Sequence, residues 1–86
     1  MELHLYTSAF CEPCLQTRGV LHEAERLIPD ARVREFDVVA HEERAQAAGI
    51  RSTPTVIVLN AEGAEVFRAE GVPSIAQVLV AAAKAV

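Results

Sequence analysis

Five consecutive residues, Thr55-Val56-Ile57-Val58-Leu59, constrain the fold most. The run is continuously apolar and mostly β-branched, so it favours a strand. It lacks the polar–apolar alternation of a strand with one wet face, and it must therefore be covered on both faces. A chain with such a strand needs a sheet with packing layers above and below. The remaining segments supply them. Leu3, Leu5 and Tyr6 begin a strand over roughly residues 2–7, and Thr7-Ser8-Ala9-Phe10 reads as a loop. A helix starts near Cys11 or Glu12, with Pro13 in its first turn, where a missing N–H costs nothing. Cys14, Thr17, Leu21, Ala24 and Ile28 recur at helical spacing, with Val20 and Leu27 beside them, and Pro29-Asp30 ends the helix.

Residues 31–39 read as a second strand, and Arg32, Arg34 and Glu35 suggest that it lies at an edge. A short alanine-rich helix covers about 41–48 and closes at Gly49. After the buried strand, Asn60-Ala61-Glu62-Gly63 makes a turn, and residues 64–69 return as a hairpin partner. Ser74-Ile75-Ala76-Gln77 is a capping-box pattern that opens a last helix, with Ile75, Val78, Leu79, Ala82 and Val86 on one face. The order is β-α-β-α-β-β-α, an α/β arrangement. The predicted architecture is one mixed four-stranded sheet, with a parallel βαβ unit first and a hairpin second, flanked on both faces by three helices.

Eighty-six residues suit one domain, 1–86, and 51% apolar residues suffice for its small core. Eight basic and twelve acidic residues give a net charge of −4. Lys84 is the only lysine, and the seven arginines are spread singly. The balance argues against nucleic acid or a membrane surface as partner, since both require a basic patch. No segment approaches the roughly 20 apolar residues that span a bilayer. Met1-Glu2-Leu3-His4 has neither a basic start nor a following apolar stretch, so no signal peptide is expected and a cytoplasmic location is.

The chain has two cysteines, Cys11 and Cys14, two residues apart. In a reducing compartment so close a pair points to redox chemistry or metal binding rather than to a structural staple. Cys11 falls at a helix start, where free N–H groups and the helix dipole favour a thiolate. Cys14 lies one turn on, within reach of a mixed disulfide formed at Cys11, so one thiol can attack and the other resolve. Glu12 suits the dipole, yet a carboxylate beside Cys11 opposes the thiolate. The alternative is a metal half-site. Zinc takes four ligands, and His4, His22 and His41 are not paired at ligand spacing, so no metal is expected within one chain. Pro54 directly precedes the buried strand. It reads either as an ordinary strand-start proline or as a cis proline, a state found in only about 5% of such bonds.

Cys11-Glu12-Pro13-Cys14 after a strand, followed about 40 residues later by Gly49-Ile50-Arg51-Ser52-Thr53-Pro54-Thr55, resembles the thioredoxin superfamily. The resemblance covers essentially the whole chain, and its short length and Leu5-Tyr6-Thr7-Ser8 approach resemble a glutaredoxin-sized thioredoxin. It implies the thioredoxin-like fold and thiol–disulfide exchange, with a redox-active Cys11–Cys14 disulfide and no other cofactor. By position Cys11 is the exposed nucleophile and Cys14 the buried resolving thiol. Thr53 and a cis Pro54 lie against the dithiol, and the Thr53 backbone pairs with an extended substrate. Gly71 helps to form the substrate groove, and Phe10 stands where an aromatic often precedes the first cysteine. Glu12 and Pro13, between the cysteines, belong to the same substrate-facing set.

Three departures qualify the resemblance. Leu5 occupies the position of a buried aspartate thought to assist the resolving cysteine in ordinary thioredoxins. Glu12 replaces the usual glycine. Gly71-Val72-Pro73-Ser74 stands where glutaredoxins carry a Gly-Gly-x-Asp run that contacts glutathione. The implied partners are disulfide-containing proteins as substrates and a thioredoxin reductase or similar electron donor, acting on a monomer. The alternatives are a binding or adaptor module with little turnover and a glutathione-linked, glutaredoxin-like protein. Other polar residues have plainer readings. His4 packs or makes a surface bond, His22 and His41 sit exposed on helices, and Tyr6 is core with its hydroxyl at the rim. Thr7 and Ser8 either hydrogen-bond near the motif or cap a helix. Asp37 is an ordinary strand-end residue, and Glu42, Glu43 and Arg44 form a solvated helix start.

Overall fold

Seven elements follow one another along the computed structural model, which describes residues 1–86: β1 (Glu2–Thr7), α1 (Glu12–Leu27), β2 (Arg32–Asp37), α2 (Glu42–Ala47), β3 (Thr55–Leu59), β4 (Glu65–Glu70) and α3 (Ile75–Lys84). The strands form one sheet in the order β2-β1-β3-β4. β1 and β2 run parallel across the α1 crossover, while β1/β3 and β3/β4 are antiparallel. The mixed four-stranded sheet and three helices are those the sequence predicts.

The continuous apolar run sits where its lack of alternation requires. β3 pairs with β1 on one side and β4 on the other, and Val56, Ile57 and Val58 are all buried. Successive side chains of a strand point to opposite faces. On one face Leu3, Leu5, Val56 and Val58 pack with Leu21 and Ala24 of α1 and with Val78 and Ala81 of α3. On the other, Tyr6, Phe36 and Ile57 pack with Ala45 of α2. Helices therefore cover both faces.

α1 buries Cys14, Thr17, Leu21 and Ala24, a stripe spaced three and four residues apart. Its register follows from the cap at Cys11 and from Pro13 in the first turn. Leu27 ends the helix exposed, because Ile28 leaves the helical conformation and turns inward in its place. α3 opens with the expected capping box: the Ser74 hydroxyl accepts from the Gln77 N–H at 3.1 Å, and the Gln77 side chain accepts from the Ser74 N–H at 2.9 Å. Its inward stripe is Val78, Ala81, Ala82 and Ala85, so Val86, expected on that face, is exposed instead. Small alanines there let α3 lie beside α1.

β2 is an edge strand, as its charges suggest, but it ends at Asp37 rather than at 39. Asp37 Oδ1 accepts from the N–H groups of Val39 at 2.8 Å and Ala40 at 3.0 Å, which turns the chain out of the ladder. Val39 is left exposed. α2 closes at Gly49, whose φ of +71° is the left-handed conformation that ends helices. No helix is long and apolar enough to cross a membrane.

Candidate active site

α1 begins at Cys11. The residue has an extended backbone, and its Sγ accepts a hydrogen bond from the Cys14 N–H at 3.2 Å. The sulfur thus caps the helix, in the place a serine or aspartate oxygen usually takes. Cys11 and Cys14 are joined by a disulfide with Cα atoms 5.2 Å apart. The two sulfurs differ in access: Cys14 is 2% exposed on the buried stripe of α1, whereas Cys11 is half-buried at the rim. The preceding residue, Phe10, is fully exposed and has a φ of +57°, a conformation uncommon outside glycine. Ser8, Phe10, Cys11, Glu12, Leu15 and Arg18 surround a depression of about 540 Å³, with Cys14 at its inner wall.

A second loop meets this one. Ser8 Oγ and Thr53 Oγ1 are 2.6 Å apart, a hydrogen bond across 45 residues of sequence. The Thr53–Pro54 peptide bond is cis, and Pro54 is buried. The Gly71 N–H donates to the Pro54 carbonyl at 2.9 Å, with Gly71 at a φ of +97° that favours glycine. On the outer side of the same loop, Glu70 accepts from Arg51 at 2.8 Å. The site thus has two tied parts: Cys11, Cys14, Phe10 and Glu12 around the depression, and Thr53, Pro54 and Gly71 along the neighbouring loops. Pro13 is exposed in the first turn of α1 and outside the lining of the depression.

One charged pair lies one helical turn beyond Cys14. Arg18 donates from Nε and Nη2 to both oxygens of Glu35, at 2.7 and 2.6 Å, and Thr7 Oγ1 donates to the same carboxylate at 3.3 Å. The Arg18 hydrogen bonds hold the Glu35 carboxyl below the usual carboxylate range; burial opposes this, and the Arg18 charge, the Thr7 hydroxyl and His22 add to the lowering. A depressed carboxyl stabilises the fold above its unfolded value of about 4.3, and that stabilisation is lost as pH falls through the lower folded value. The pair is partly solvated, so its share is about 1 kcal/mol or less. Glu35→Gln should therefore lower stability at pH 7 and flatten the loss between about pH 5 and pH 2. Denaturant titrations of both proteins across that range measure it; parallel pH profiles would contradict it.

Ser8, Leu15 and Arg18 belong to the site but are not among the residues the motif marks. The spacing of Arg18, four residues after Cys14 and so on the same helical side, is the signal that was available. His4 is distant in role: it is buried, bonded to Glu2 at 2.6 Å and edge-on to Phe36. No group of three or more His, Cys, Asp or Glu side chains is placed to hold a metal ion.

No protein-family model matches the chain, and no curated protein sequence matches it significantly. Solved structures do match. The thioredoxin pre-protein of Schistosoma mansoni superposes with a TM-score of 0.85 over 99% of this chain and 78% of that one, at 27% identity. The thioredoxin of Fasciola hepatica gives 0.84, over 99% and 80%, at 20% identity. Mitochondrial thioredoxin 3 of Saccharomyces cerevisiae gives 0.82, over 95% and 76%, at 18% identity. The chain has the thioredoxin fold. Fold and Cys-x-x-Cys disulfide together are those of a thioredoxin-superfamily member. Within that thioredoxin fold, Leu5 is fully buried in the apolar cluster between the sheet and α1.

Proposed function

We propose that this chain reduces protein disulfides by dithiol exchange through Cys11 and Cys14. The observation that carries the reading is the unequal access of the two bonded sulfurs, one at the rim on a helix N-terminus and one buried behind it. A thiolate at Cys11 gains the Cys14 N–H and the positive end of α1, which favour the charged form. It attacks one sulfur of the substrate disulfide; that S–S bond breaks, and the leaving thiolate takes a proton from water. Cys14 then gives up its proton and attacks Cys11 Sγ, releasing the second substrate sulfur as a thiolate. Two electrons pass to the substrate, and the chain is left in the disulfide form. A dithiol donor, a thioredoxin reductase or similar, returns it to the dithiol.

Thr53, Pro54 and Gly71 form the wall along which an extended substrate segment lies, with Phe10 facing it from the other loop and Glu12 and Pro13 from the first turn of α1. In this reading the chain acts as a monomer in the cytoplasm on disulfide-containing proteins. The test is insulin reduction driven by dithiothreitol. Catalytic amounts of the chain should accelerate precipitation of the insulin B chain; a rate equal to dithiothreitol alone would contradict the proposal.

A further inference from the structure

We infer that Glu12 selects substrates whose reactive cysteine is flanked by lysine or arginine. The inference rests on the reductase reading above and adds to it the class of segment that docks. The depression at the disulfide has an apolar rim, with Phe10 fully exposed and Leu15 60% exposed. Apolar contact of this kind accepts many segments and distinguishes few, so charge must supply the discrimination.

Only two charged side chains line the depression at the cysteines, Glu12 and Arg18. Arg18 is neutralised by its two bonds to Glu35. Across the site, Arg51 and Glu70 likewise neutralise each other at 2.8 Å. Glu12 is exposed and belongs to none of the six ion pairs of the chain. The helix dipole accounts for an acid in the first turn of α1 but leaves its charge facing outward. Among the side chains that line the depression, the uncompensated charge is thus that of one carboxylate, joined during attack by the Cys11 thiolate. The chain's net charge of −4 adds to it at longer range. A cation beside the substrate cysteine meets both negative groups, and an anion there is repelled by both.

The test uses reduced protein and two short peptides, each bearing one cysteine in a mixed disulfide with a chromogenic thiol. The peptides are identical except that lysine or glutamate flanks the cysteine. Release of the chromogenic thiol gives the rate, divided by the rate with neutral mercaptoethanol to remove differences in intrinsic reactivity. The lysine peptide should react about three- to tenfold faster at low salt. Glu12→Gln should shrink the ratio below about twofold, as should screening by about 1 M salt. Glu12→Lys should invert it. Equal rates with the unaltered protein, or a preference that survives Glu12→Gln, would overturn the inference and leave the reductase reading standing. Release from neither peptide would overturn both.

Discussion

Replacing Cys11 by serine should abolish insulin reduction, with a loss of at least about a thousandfold. A serine hydroxyl does not ionise near neutral pH and cannot carry the mixed disulfide. The fold should survive the change, which is what makes the result informative. Cys11 is a half-buried N-cap, a position where serine is among the preferred residues. The lost disulfide closes a loop of only three residues' separation, worth about 1.5–2 kcal/mol of chain entropy, so the reduced protein is the proper reference for stability. A thermal midpoint equal to that of the reduced protein, alongside lost turnover, would assign the effect to chemistry. A variant that kept more than about a tenth of the rate would show that Cys11 is not the attacking sulfur.

The largest effect on stability is expected from Leu21→Ala. Leu21 is fully buried and belongs, with the sheet residues Leu3 and Leu5 and the α3 residue Val78, to one cluster of ten buried residues. Truncation removes apolar contact and leaves a cavity that a core this small cannot easily fill, at a cost of about 3 kcal/mol. In a chain of this length that corresponds to a fall of roughly 15 °C in Tm, measurable by calorimetry. Leu15→Ala, on the exposed side of the same helix, should change stability by less than about 0.5 kcal/mol. Similar losses at the two positions would contradict the assignment of the inward stripe of α1.

What was legible in the sequence was local. Thr55–Leu59 announces a doubly covered strand because its composition alone excludes a wet face, and Ser74 with Gln77 announces a helix start because the capping bonds span three residues. Cys11 and Cys14 were legible for the same reason. The end of β2 was not, because Val38 and Val39 continue the apolar pattern while the Asp37 side chain captures the next two N–H groups. Val86 misled because it lies beyond Lys84, where the helix has already ended. The bond between Ser8 and Thr53, and the pairing of Arg18 with Glu35, join segments 45 and 17 residues apart. Such contacts depend on how β1, α1 and β2 pack, and the spacing of residues along the chain carries no sign of them.

The equilibrium potential of the Cys11–Cys14 couple tests most directly whether this chain gives electrons to disulfides. Titration against dithiothreitol and glutathione buffers, read by the mass shift of alkylated thiols, yields the value. A reductant of protein disulfides should lie near the thioredoxin end of the range, about −270 mV. A value of about −150 mV or higher would make the couple an oxidant and contradict the proposed direction of electron flow.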